Sequence, residues 1–130
     1  DPYMVTYSDK TTTIQEVKDL IFQFAKNRQW LRYHTPKNLS MALTVEAGEL
    51  MEHFMWLKEE EVVELLKGPK REAVCDELAD IVTYALELAN VMEIDLATSI
   101  KNKYEKNCLK YPEKDCQGVF EKKSSKGIKE

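Results

Sequence analysis

The stretch Glu46-Ala-Gly-Glu49-Leu-Met-Glu-His53-Phe-Met-Trp56 decides the reading of this chain, together with its downstream counterpart Glu77-Leu-Ala-Asp80. Each supplies two carboxylates three residues apart. On a helix, positions i and i+3 are neighbours on one face. Two such pairs on facing helices would set four acids around one small volume. Charges at core-side positions cost several kcal/mol unless they are paired or bind a metal. A hard, all-oxygen set suits Mg²⁺, with Mn²⁺ as a substitute.

The acids fall where apolar side chains are expected. The row Leu39, Leu43, Glu46, Leu50, His53, Leu57 runs in steps of four and three, and Glu46 interrupts it. The row Val74, Glu77, Ile81, Tyr84, Leu88 repeats the arrangement, with Asp80 alongside. Between Arg32 and Lys58 the only Lys or Arg is Lys37, so the helix that carries Glu46 and Glu49 offers no local counter-charge near them. A single E-x-x-E in a Glu-rich helix is most simply a solvated face. The interrupted apolar stripe argues for a metal here. Gly48, between the two acids, costs about 1 kcal/mol in a helix relative to Ala, which is either tolerated slack or room for a close approach.

Working outward, the periodicity predicts an all-α, four-helix-bundle-like fold. Thr13-Ile-Gln-Glu16 is a capping box opening the first helix, whose stripe is Ile14, Val17, Ile21 and Phe24, with Leu20 beside it. Pro36 disfavours helix just before it. A second helix is expected from about Asn38, as N-cap, to Leu57. Residues 58–66 read as a short connecting helix, and Gly68-Pro69 as a stop. A third long helix is expected over about 70–92, and a fourth capped by Asp95 and ending before Pro112. The folded domain is thus expected over 13–112. Residues 1–12 read as a loose leader and 113–130 as a polar, mobile tail. Four helices with wide apolar faces leave surface for a second copy, so a homo-oligomer, dimer or tetramer, is expected.

Composition narrows the function classes. The 130 residues carry a net charge of −4, which gives no general attraction to nucleic acid. No apolar run approaches the roughly 20 residues of a membrane span. Three cysteines without metal-ligand spacing read as free thiols in a reducing, cytoplasmic setting.

Two accessory groups accompany the acids. Trp56 follows Glu49 by two turns, Tyr84 follows Asp80 by one, and Trp30 and His34 lie at the break before the second helix. Rings beside a metal–phosphate site suit base stacking; ordinary core packing is the plain alternative. Lys103, Asn107 and Tyr111 repeat at spacing four on the last helix, with Lys101 and Lys110 nearby, a face that suits phosphates or merely solvent. A di-iron bundle wants Glu-x-x-His on two helices, and the third helix has no histidine at all.

The whole set resembles the MazG-like all-α nucleoside triphosphate pyrophosphohydrolases, nearest their dCTP pyrophosphatase branch. The resemblance is carried by Trp30-x-x-x-His34-x-Pro36-x-Asn38-Leu39, Glu46-x-Gly48-Glu49-Leu50, Trp56, Glu77-Leu-x-Asp80-Ile, Tyr84 and Asn107-x-x-Lys110-Tyr111-Pro112. It implies dimers or tetramers, with Mg²⁺ held by Glu46, Glu49, Glu77 and Asp80. It implies a base pocket of Trp30, His34, Trp56 and Tyr84. It places Lys37, Asn38, Lys103, Asn107, Lys110 and Tyr111 near phosphate or sugar. Lys110 stands where that family commonly has Arg, and Ile21 where the dCTP branch can carry His. The implied activity is Mg²⁺-dependent hydrolysis of a (d)NTP, dCTP first, to the monophosphate and pyrophosphate, clearing surplus or modified nucleotides. The alternative is a helical oligomer that binds metal or nucleotide without hydrolysing it.

Overall fold

The computed structural model describes residues 5–118. Leader residues 1–4 and tail residues 119–130 lie outside the described residues. Among the described residues there are six α-helices, one 3-10 turn and no strand. Two units divide the chain, residues 1–94 and 95–130, and each is taken by itself.

Ahead of the first helix lies a hydrogen-bonded turn, in which the Thr12 N–H donates to the Ser8 carbonyl at 2.9 Å. Helix α1 (Ile14–Asn27) then starts on the expected capping box. The Thr13 hydroxyl accepts from the Glu16 N–H, and the Glu16 carboxylate accepts from the Thr13 N–H, each at 3.1 Å. The helix ends without a glycine. Gln29 takes φ = 56°, and the Trp30 N–H donates back to the Ala25 carbonyl at 2.9 Å. That closing bond satisfies an orphan carbonyl and reverses the chain. A 3-10 turn (Leu31–Tyr33) follows.

Helix α2 (Pro36–Glu52) corrects the expected second helix at both ends. Its N-cap is Thr35, whose hydroxyl accepts from the Asn38 N–H at 3.1 Å. Pro36 is the first helical residue, where its missing N–H costs nothing. At the other end, the His53 N–H folds back on Leu50 and Met51 and stops the helix at Glu52, short of Leu57. Helix α3 (Glu59–Lys67) is the short connector, and helix α4 (Arg71–Val91) matches the third long segment. Helix α4 ends as α1 does, with Glu93 at φ = 54° and the Ile94 N–H on the Ala89 carbonyl at 2.9 Å.

The unit is built on the pairing of α2 with α4, with α1 and then α3 packed on α4. Its buried apolar residues are Ala25, Leu39, Val74, Leu86 and Ala89, small for a chain with so many large side chains. Met41, Val45, Leu78 and Val82 stay about half exposed on the two central helices. Across the α1–α4 seam the Lys18 ammonium donates to the Ile94 carbonyl at 3.1 Å, and the Asn90 amide to the Lys18 carbonyl at 3.0 Å.

The second unit contains α5 (Leu96–Lys110) and the four-residue α6 (Glu113–Cys116). Asp95 caps α5 as expected, accepting from the Thr98 N–H at 3.0 Å. The tail expected from 113 therefore begins with a helical turn. Cys75, Cys108 and Cys116 are free thiols, and no helix among the described residues is long and apolar enough to cross a membrane.

Candidate metal and nucleotide site

The seam between α2 and α4 gathers the acids. One carboxylate oxygen from each of Glu46, Glu77 and Asp80 lies within 4.8 Å of the other two. Glu49 lies outside the tightest trio, and its carboxyl is raised chiefly by the neighbouring Glu46. The i, i+3 pairs of α2 and α4 meet across the packing of these two helices, on which Leu39 and Val74 are buried.

The electrostatics follow from that crowding. The hydrogen bond to Glu77 holds the Glu46 carboxyl above its ordinary pKa, and burial and the charges of Glu77 and Asp80 add to the effect. Glu49 is raised first by its hydrogen bond and charge contact with Glu46. Two carboxylates share a hydrogen bond only when one holds a proton, so the trio is strained when fully ionised. Glu77 Oε2 is buried and has no hydrogen-bond partner among the described residues. A buried acceptor left so needs an explanation, and a divalent cation supplies one. The donor set, oxygen only, fits such a hard ion.

Beside the acids lies a cavity of about 470 Å³. One wall is apolar, from Leu20, Ile21, Phe24 and Ala25 of α1. The other is the face of α4 that carries Asp80, Thr83, Tyr84 and Glu87, and Trp30 and His34 complete the lining. Asp80 thus belongs to both the acid cluster and the cavity. Tyr84 is pushed up by burial and by the charges of Glu46 and Asp80, so its phenol keeps its proton beside the acids. Trp30 meets Phe24 edge to face, centroids 5.6 Å apart, a placement set by the Gln29 reversal.

The sequence reading missed Glu87. It is 1% exposed, and its Oε2 lies 2.7 Å from His34 Nδ1. The available signal was a Glu three residues beyond Tyr84, on the α4 face that also carries Asp80. Trp56 departs from expectation. Because α2 ends at Glu52, Trp56 sits in the following turn, 84% exposed, and does not line this cavity. Lys37 and Asn38 are exposed in the first turn of α2, where the Asn38 amide donates to the Tyr33 carbonyl at 3.0 Å. Lys103, Asn107 and Lys110 lie exposed on α5 in the second unit, and the Tyr111 N–H bonds the Asn107 carbonyl at 2.8 Å. Gly48 meets nothing within 4 Å of a Cβ built on it, so no close approach among the described residues explains it.

The model of the MazG-like family matches residues 41–125. The chain is 37% identical over 101 residues to dCTP pyrophosphatase 1 of Bos taurus, covering 77% of this chain and 60% of that protein. It is 35% identical over the same length to dCTP pyrophosphatase 1 of Homo sapiens, covering 59% of it. The chain therefore spans about 60% of the length of these curated relatives. Among solved structures it is similar to a pyrophosphatase from Archaeoglobus fulgidus, with a TM-score of 0.72 and 38% identity over 83% of this chain and 98% of that one.

Proposed function

This chain belongs to the MazG-like family, and from that membership we propose that it hydrolyses a nucleoside triphosphate, dCTP first, to the monophosphate and pyrophosphate. The observation that carries the reading is the double membership of Asp80, which joins the carboxylate trio to the aromatic-walled cavity. A base in that cavity brings its own phosphates toward the acids.

Glu46, Glu77 and Asp80 would hold Mg²⁺, with Glu49 beside them. When bound, the cation would supply positive charge to the triphosphate and acidity to a water molecule. The chain does the rest. Glu49, its pKa raised by Glu46, orients the water and takes its proton. The water oxygen bonds to the α-phosphorus as the bond from that phosphorus to the β-bridging oxygen breaks, and pyrophosphate leaves. Trp30 and Tyr84 flank the base, at about 1–3 kcal/mol for a good stack. Lys37 and Asn38 are the proposed contacts to phosphate and sugar in the first unit; Lys103, Asn107 and Lys110 of α5, with its C-cap Tyr111, are by themselves a second proposed phosphate-binding face. The half-exposed apolar residues of α2 and α4 favour a homo-oligomer.

Incubation with each dNTP and Mg²⁺, followed by separation of products, tests the proposal. It expects dCMP and pyrophosphate in equal amounts. Release of orthophosphate alone, or no turnover of any nucleotide, overturns it.

A further inference from the structure

Glu87 is the buried carboxylate in the lining of the cavity, which it shares with His34 and with Asp80, Thr83 and Tyr84 of α4. Glu87 Oε2 meets His34 Nδ1 at 2.7 Å, and Oε1 accepts from the Asn90 amide nitrogen at 3.0 Å. The same nitrogen donates to the Lys18 carbonyl at 3.0 Å. Facing two acceptors, that amide has one sensible orientation, which makes Glu87 Oε1 an acceptor. Glu87 is therefore clamped from both sides, on α4 by Asn90 and from the 3-10 turn by His34. Each carboxylate oxygen still has a second acceptor site. With Nδ1–H given to Glu87, His34 in its neutral form presents Nε2 as an acceptor too.

A buried acceptor held on both sides, in the wall of a cavity whose opposite wall is apolar, discriminates by polarity. A ligand N–H placed there gains a bond to a carboxylate, while a ligand carbonyl leaves two acceptors opposed and desolvated. Size does not discriminate, since about 470 Å³ holds any pyrimidine. We infer that Glu87, with His34, is the specificity-determining pair that accepts an exocyclic amino group of the base and turns away a base with a carbonyl in its place. This rests on the hydrolase reading above. Cytosine and uracil isolate it, because they share one ring and differ at the C4 edge.

The test is kcat/KM for dCTP and dUTP, in wild type and Glu87→Gln, with products separated. Glutamine keeps the shape and can donate as well as accept. The expected wild-type preference for dCTP is at least 100-fold, falling at least tenfold in the variant, chiefly through a higher KM for dCTP. An unchanged ratio, or an equal loss on both nucleotides, overturns the inference. Calorimetry of wild type with dCMP and dUMP needs neither turnover nor a folded variant. At least tenfold tighter dCMP binding supports the pair, and equal affinity overturns it. Absent hydrolysis with selective dCMP binding would instead strike the hydrolase reading alone.

Discussion

A carboxylate oxygen of Glu46 on α2 lies within 4.8 Å of one of Glu77 on α4, two acids brought together across a helix seam. Such a contact holds a proton or a cation between its partners.

The first concerns pH. Glu46 and Glu49 titrate above the ordinary value of 4.5 in the folded chain. Between 4.5 and their raised values the folded state therefore binds more protons than the unfolded one. Metal-free protein loses stability as pH rises through that window, and the penalty is absent below it. Divalent-ion affinity moves the other way, because protons must leave first. Melting temperatures from pH 4 to 8, with chelator and with Mg²⁺, should diverge as pH rises. Parallel curves would contradict the account.

The second concerns the base. Trp30→Ala should raise KM for dCTP by about 10- to 100-fold, the loss of one stack, with kcat changed far less. Steady-state kinetics would show it. An unchanged KM would remove Trp30 from the site.

The third concerns Gly48. A methyl added there meets nothing within 4 Å. Gly48→Ala should therefore stabilise α2 by about 0.5–1 kcal/mol, read from denaturant unfolding. Destabilisation, or a change in oligomer size, would mean that a second copy or a ligand approaches this turn closely.

The fourth concerns assembly. Val45 is 58% exposed on α2, and a homo-oligomer would cover it. Val45→Glu should reduce the mass by light scattering toward the 15.1 kDa of one chain, while wild type reads a multiple of it. A wild type already at monomer mass would end the oligomer proposal.

Much of this was legible in the chain because the signals are local. Thr13 and Glu16 announce a capping box, Asp95 a cap, and the interrupted apolar rows the acid seam. What stayed hidden depends on tertiary context. The reversals at Gln29 and Glu93 use left-handed residues without glycine, so nothing marked them. Trp56 was misplaced because its face was projected along a helix that stops at Glu52. Glu87 escaped notice because its partners, His34 and Asn90, come from a distant turn and from a position that reads as plain helix. One buried carboxylate means little until the residues that satisfy it are known.

The most direct test is calorimetric titration of Mn²⁺ into chelator-treated protein at neutral pH, wild type beside Glu77→Gln. The account predicts saturable binding to wild type and at least tenfold weaker binding to the variant. The variant should also melt no lower than metal-free wild type, since it removes one of the crowded charges. Equal Mn²⁺ affinity in the two proteins, or no binding to wild type, would contradict a cation held between α2 and α4.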